Sequence, residues 1–167
     1  MFTRRAFIKV GIGGAALFAL ARLAASAPTY RLLDERAADI VKPLATVVLA
    51  GALPEDSAAR ARAVAAVVVS FDRVVSGLAP TVQREISDLF AFLDFAPTRL
   101  AFTGLWSPVP ESSAEELAAF LTRWRTSRFE LQQAGYLALT QLIYSSWYDL
   151  PEAWPAISYP GPPALPK

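Results

Sequence analysis

The sequence of 167 residues contains no histidine, no cysteine and a single methionine, Met1. Haem, iron–sulfur clusters, copper and structural zinc are bound mainly through these side chains. We therefore expect no metal site and no bound cofactor in this chain. A serine nucleophile such as Ser145 or Ser146 has no histidine base, so we expect no catalytic residue. Without cysteine, no disulfide can form.

Three other patterns could carry chemistry, but each has a simpler explanation. A carboxylate metal site of the helical di-iron kind pairs glutamate with histidine, which this chain lacks; the glutamates considered for it are Glu111, Glu115, Glu116 and Glu130. The glycines of residues 11–14 resemble a dinucleotide-binding loop but follow no strand. Residues 123–128 carry three arginines around Trp124, which resembles a nucleic-acid or phosphate-binding patch; a solvated helix end is favoured instead, because cations suit the C-terminus of a helix.

Charge is distributed unevenly along the chain. All 15 acidic residues follow Ala27, whereas four of the 16 basic residues precede it. Residues 28–167 therefore carry 12 basic and 15 acidic residues, a net charge of −3. This balance does not favour a nucleic-acid partner. Hydrophobic residues make up 54% of the sequence, which indicates either a very large core or an apolar surface for another protein.

The N-terminal residues match a twin-arginine export signal. Thr3 to Lys9 has the required pattern, and Val10 to Ala21 forms an uncharged stretch too short for a stable membrane span. The signal is expected to occupy residues 1–27. Cleavage after Ala27 would leave Pro28 next to the cut, where proline usually blocks the peptidase, whereas cleavage after Ser26 avoids this problem. The signal could also stay uncut as a weak anchor. The alternative is a basic amphipathic or anchoring helix. The residues that define the signal are Arg4, Arg5, Phe7 and Lys9.

A twin-arginine signal predicts recognition by the twin-arginine translocase and a periplasmic location. This route exports proteins that have already folded, and it mainly serves proteins whose cofactor is inserted first. Because the chain itself lacks the usual cofactor ligands, we expect the cofactor to belong to a partner.

Residues 28–148 are predicted to form an all-α domain of five or six helices. Asp34 is an expected N-cap, and Pro43 should kink or restart the helix that follows. The clearest helix opens at Asp56–Ser57, and its apolar positions keep helical spacing from Val64 to Leu78. We find no convincing strand.

Three further helices are expected. Thr81 should cap the third helix, and Ser113 with Glu116 forms a capping box. The helix after this box should bury Leu117, Phe120, Leu121 and Trp124. The last helix should run from about Arg128 to Tyr148 and turn inward the side chains of Leu131, Tyr136, Leu139 or Thr140, Ile143 and Trp147.

Residues 149–167 are predicted to form an extended tail, because they contain six prolines. The tail also contains Trp154 and Tyr159, which solvated linkers seldom do. Its aromatic residues either close the chain's own core or contact a partner. The residues expected at a partner interface are Trp147, Tyr148, Trp154, Ile157, Tyr159 and Pro160.

The signal together with two C-terminal motifs, Ser145 to Tyr148 and Trp154 to Pro163, resembles the gluconate 2-dehydrogenase subunit 3 family. The resemblance implies a non-catalytic small subunit of a periplasmic FAD-dependent dehydrogenase complex that oxidises sugars or other alcohols. FAD would be bound by a large flavoprotein subunit of the GMC class, which lacks its own signal and is exported with the small subunit. A multihaem cytochrome c usually joins the two at the inner membrane.

The alternative hypothesis is a free-standing periplasmic helical protein that binds a small apolar ligand inside its bundle. Lipid found in an extract of the purified protein would favour this alternative over an accessory subunit.

Overall fold

The computed structural model describes residues 30–162, and within this range the chain is helical without a strand. The α-helices are α1 (Glu35–Val48), α2 (Ser57–Ser76), α3 (Pro80–Asp94), α4 (Ala96–Thr103), α5 (Ala114–Arg125) and α6 (Glu130–Tyr148). Two 3-10 helices, Val109–Glu111 and Pro151–Ile157, add to these six. The predicted all-α class is confirmed. The predicted export signal, with Arg4, Arg5, Phe7 and Lys9, lies outside the described residues.

Three predicted helix starts are confirmed by capping hydrogen bonds. The Asp34 carboxylate accepts from the N–H of Ala37 at 2.7 Å, and Asp56 accepts from Ala59 at 2.7 Å. At the start of α5 the Ser113 hydroxyl accepts the Glu116 N–H at 3.2 Å, and the Glu116 carboxylate accepts the Ser113 N–H at 2.8 Å. The bond from the Ser113 N–H lowers the pKa of Glu116. Each cap satisfies a donor that has no partner within its helix.

Two other helix starts differ from prediction. Helix α3 begins at Pro80, and Thr81 lies inside its first turn without capping it. Proline suits this position because its φ is fixed near the helical value and its missing N–H needs no partner there. Helix α6 begins at Glu130, two residues later than predicted, since the Ser127 hydroxyl accepts the Phe129 N–H at 3.0 Å.

Helix α1 is continuous from Glu35 to Val48, so the chain does not restart at Pro43 as one alternative predicted. Val41 and Leu44, on either side of the proline, are both buried. Their packing supports the helix where one hydrogen bond is missing. Helix α1 packs against α2, α3, α5 and α6, which makes it the central helix of the bundle.

The predicted apolar stripes largely form the core. Val64, Val67, Val68, Phe71 and Val75 of α2 are buried, as are all four predicted residues of α5. In α6 both Leu139 and Thr140 are buried, together with Ile143 and Trp147. The prediction for Leu131 is wrong: its side chain is 72% exposed, because it lies at the start of α6, where none of the helices between residues 30 and 162 covers it.

A buried carboxylate fixes the first described residues to the bundle. Asp72 of α2 accepts hydrogen bonds from the N–H groups of Arg31 at 2.6 Å and of Leu32 and Leu33 at 2.8 Å each. Burial by itself would raise the pKa of Asp72, but these donors and the charge of Arg31 outweigh it, so that the pKa lies below its ordinary value.

The predicted extended tail is wrong for most of the described C-terminus. Pro151–Ile157 forms a 3-10 helix, with the Ala153 N–H donating to the Leu150 carbonyl at 3.0 Å. Proline fits there because its fixed φ lies within the 3-10 range. Residues 158–162 are not helical, and they turn back so that the Tyr159 N–H donates to the Trp154 carbonyl at 3.0 Å.

Candidate functional site

Within residues 30–162 no group of three or more acidic side chains is placed to hold a metal ion, and the four glutamates considered as ligands therefore form no such cluster. Glu116 is engaged in its capping box. No helix between residues 30 and 162 is long and apolar enough to cross a membrane.

A groove of about 690 Å³ lies between α3 and α6, with α2 beneath it. It arises because α6 packs on α2 and α5, whereas α3 packs on α1 and α4, which leaves a gap between α3 and α6. The lining is mainly apolar and includes Val74, Leu78, Leu89, Phe92, Ala138 and Leu142. A volume of this size is within the range of ligand pockets and also suits several side chains of a partner.

Among the described residues that line the groove, the charged ones are both acidic, Glu85 and Asp88. Both stand on α3 and both are exposed. The groove therefore favours an apolar occupant that is neutral or carries positive charge near α3.

One end of the groove is closed by Trp124 of α5. Its Nε1 donates to the Phe102 carbonyl at 2.9 Å, and its ring meets Phe120 edge-on at 4.8 Å between centroids. Gly135 of α6 lies directly on the ring, since a Cβ there would be 2.4 Å from Trp124 Cζ3. The close approach of α5 and α6 at this point therefore requires glycine.

The arginines next to Trp124 were predicted to face water, and all three are exposed. Arg123 has an additional contact, because its guanidinium donates to the Thr103 carbonyl at the end of α4. Together with Trp124 it ties the C-terminus of α5 to the C-terminus of α4.

The structure separates Trp147 from the other residues expected at a partner interface. Trp147 is 4% exposed and belongs to the chain's own core, so its side chain presents no surface to a partner in this structure. Tyr148, Ile157, Tyr159 and Pro160 are exposed. Trp154, in contrast, is half-buried and packs on the core.

Trp154 organises the C-terminal segment, residues 150–162. Its Nε1 donates to the Tyr148 carbonyl at 3.0 Å, and its ring meets Tyr159 edge-on at 5.4 Å. A Cβ on Gly161, which has a φ of +98°, would lie 2.9 Å from the Trp154 ring. The inner face of Trp154 thus closes the chain's own core, while the outer edge of the segment stays exposed.

Asp149 fixes the start of this segment to α2. Its carboxylate accepts from the Ser70 hydroxyl at 2.7 Å and from the Arg73 guanidinium at 2.7 Å. The Arg73 ion pair is largely exposed, so it contributes little stability, but it sets the direction in which the chain leaves α6.

Comparisons of the chain with models of known protein families, with curated proteins and with solved structures found no match.

Sequence reasoning did not find the groove, because its lining comes from five helices that meet only in the folded chain. Two signals pointed toward it: the 54% hydrophobic content, and apolar residues such as Val82 that continue the helical stripes beyond what the core buries.

Proposed function

We propose that this chain is the non-catalytic small subunit of a periplasmic FAD-dependent dehydrogenase complex that oxidises sugars or other alcohols. It acts as the folding and export partner of a GMC-type flavoprotein, which binds the FAD. A multihaem cytochrome c is the expected third subunit, at the inner membrane. The observation that carries the proposal is the open apolar groove between α3 and α6.

The groove supports this function because it is a surface that gains from being covered. Val82 and Leu131 on its two sides are 39% and 72% exposed, in contact with water rather than with the chain's own core. Each Å² of apolar surface covered by a partner contributes roughly 25 cal/mol. The exposed edge of the C-terminal segment, with Tyr148, Ile157 and Tyr159, offers a second contact of the same kind.

The export signal predicted from Arg4 and Arg5 supplies the second half of the proposal. A chain that is folded before export, and that presents an apolar groove, is suited to travel together with a folded partner.

Groove variants test the interface. The variant Val82→Asp/Leu131→Asp replaces two residues that line the groove. Because both side chains are already exposed to solvent, the fold should be preserved. Val69→Asp/Leu137→Asp is a matched control, because Val69 is also 39% exposed, Leu137 is 50% exposed and neither lines the groove. We expect the first variant to lose co-purification with a co-expressed GMC flavoprotein and the control to keep it, with unchanged circular dichroism in both. Equal co-purification of the two variants would refute the groove as the interface.

Export is tested separately. Replacing Arg4 and Arg5 by lysine should retain both this chain and the flavoprotein in the cytoplasm, because one signal serves both. A flavoprotein that still reaches the periplasm would show that this chain does not carry it.

The groove also favours a second candidate function, a free-standing periplasmic protein that binds a small apolar ligand. A volume of about 690 Å³ is sufficient for such a ligand. This candidate predicts that the chain is monodisperse without a partner and that organic extraction releases a lipid or another apolar compound. The subunit proposal instead predicts aggregation, or binding of hydrophobic dyes, when the chain is expressed alone.

A further inference from the structure

One end of the bundle presents two aromatic side chains to solvent. Trp106, in the loop after α4, is 83% exposed, and Phe129, before α6, is 56% exposed. Phe129 occupies the N-cap position of α6 without a side-chain capping bond. Ser, Thr, Asp or Asn would stabilise the helix start better, so helix formation does not explain this phenylalanine. Neither aromatic residue lines the groove.

Three arginines lie at the same end. The loop that carries Trp106 begins at Gly104, which lies against Arg123: a Cβ added to this glycine would be 3.1 Å from the Arg123 guanidinium. Trp106 follows Gly104 by two residues, within about 7 Å along the chain. Arg128 lies over the Phe129 ring, with its Cζ 5.1 Å from the centroid. With Arg125, which is also exposed, these residues form a surface that we call the aromatic–arginine end: Trp106, Arg123, Arg125, Arg128 and Phe129.

The positive charge here contrasts with the remainder of the chain. Residues 30–162 contain 15 acidic and 11 basic residues, yet three of these 11 fall within residues 123–128. The nearest acidic side chain in sequence is Glu130. The glutamates of α5 stand in its first turn, and Glu116 is about 14 Å along the helix from Arg125, beyond the screening length at physiological salt.

We propose that the aromatic–arginine end binds the surface of an anionic phospholipid bilayer. Trp106 and Phe129 would enter the headgroup region, where aromatic rings are favoured, and the arginines would contact lipid phosphates. A small anion fits less well, because exposed arginines on two sides of a turn form no enclosed site. A nucleic acid fits less well, because it needs a basic groove that follows its backbone, and three arginines at one end of the bundle do not form one. The inference does not depend on which protein occupies the groove.

Tryptophan quenching by lipids with brominated acyl chains tests the proposal in the full chain. Residues 1–29 contain no tryptophan, so the export signal is silent in this assay. Trp124 and Trp147 are buried and Trp154 is half-buried, which leaves Trp106 as the exposed reporter. We expect brominated phosphatidylglycerol–phosphatidylcholine vesicles to quench the wild type, and Trp106→Phe to abolish that quenching.

The arginines are tested by charge-matched variants. Arg125→Gln/Arg128→Gln, which leaves the Arg123 contact with α4 intact, should lower the vesicle partition coefficient by at least about tenfold, since one arginine near an anionic surface contributes about fivefold. The control Arg62→Gln/Arg84→Gln removes the same charge from other exposed positions and should bind nearly as well as the wild type.

Three results would overturn the proposal. Quenching that persists in Trp106→Phe would place another tryptophan at the lipid. Equal losses of vesicle binding in the two arginine variants would show that binding depends on overall charge or occurs through the export signal. Absence of quenching in the wild type would also reject the lipid-binding proposal. If the arginine variant then failed to bind the flavoprotein, this end of the bundle would be a protein interface instead.

Discussion

Replacing Gly135 by alanine should destabilise this protein, although the same change in the middle of most helices is stabilising. Alanine is favoured over glycine in a helix by about 1 kcal/mol. At Gly135 the added Cβ would lie 2.4, 3.0 and 3.2 Å from three carbons of the Trp124 ring. The ring would have to move by about 1 Å to restore ordinary van der Waals contact.

The Trp124 ring has little freedom to make that movement. It is buried, hydrogen-bonded to the Phe102 carbonyl and packed edge-on against Phe120. Overpacking a core of this kind costs about 1–3 kcal/mol. After the gain in helix propensity is subtracted, we expect Gly135→Ala to lower the free energy of unfolding by up to about 2 kcal/mol.

Urea unfolding followed by circular dichroism measures this difference, and Gly77→Ala provides the control. At Gly77 the nearest atom to the added Cβ is the Val74 carbonyl oxygen at 3.4 Å, an acceptable contact, so alanine should be neutral or stabilising by up to about 1 kcal/mol. In a Trp124→Phe background the smaller ring should reduce the cost of Gly135→Ala. If Gly135→Ala were as stable as the control, α5 and α6 could not approach as closely as described, and the closed end of the groove would be wrong.

Three further predictions concern stability. Asp72→Asn should lower the free energy of unfolding by about 2 kcal/mol, because hydrogen bonds to a charged acceptor are lost. The amides of residues 31–33 should then exchange their hydrogens faster, and unchanged protection of these amides would contradict the prediction. Since the folded pKa of Asp72 lies below its ordinary value, its contribution is complete above about pH 4 and is lost as the pH falls through the folded pKa, so this variant should show a flatter acid limb of stability. Ser113→Ala should lower the free energy of unfolding, measured in urea, by about 1 kcal/mol, and no change would mean that the capping box is not formed in solution. Trp154→Ala should lower the thermal midpoint by removing about 2–3 kcal/mol of packing, whereas an unaltered midpoint would show that the C-terminal segment does not close the core.

The sequence predicted those features that depend on neighbouring residues. The caps at Asp34, Asp56 and Ser113 each join groups three residues apart, so the pattern of residue types is sufficient to locate them. The buried stripe from Val64 to Val75 follows from helical periodicity alone. Trp124 was correctly placed in the core for the same reason.

The features that sequence reasoning missed depend on contacts between distant residues. Asp72 interrupts the apolar run of α2 as an apparent surface residue, yet its partners are 39 to 41 residues earlier in the chain. Gly135 gives no sign in the sequence that an indole ring lies against it. Prolines 151 and 155 were interpreted as excluding a helix, but a 3-10 turn accommodates them.

The groove and the aromatic–arginine end meet at the start of α6. Leu131 stands on the groove, and Phe129, two residues earlier, belongs to the other surface. A partner segment lying in the groove would therefore pass next to any bilayer bound at Trp106. The two surfaces nevertheless differ in charge, because the groove is lined by Glu85 and Asp88, whereas the other surface carries three arginines. Raising the salt concentration should weaken lipid binding much more than partner binding in the groove, since apolar contact is screened little by ions. Parallel loss of both interactions with salt would mean that a single charged surface serves both.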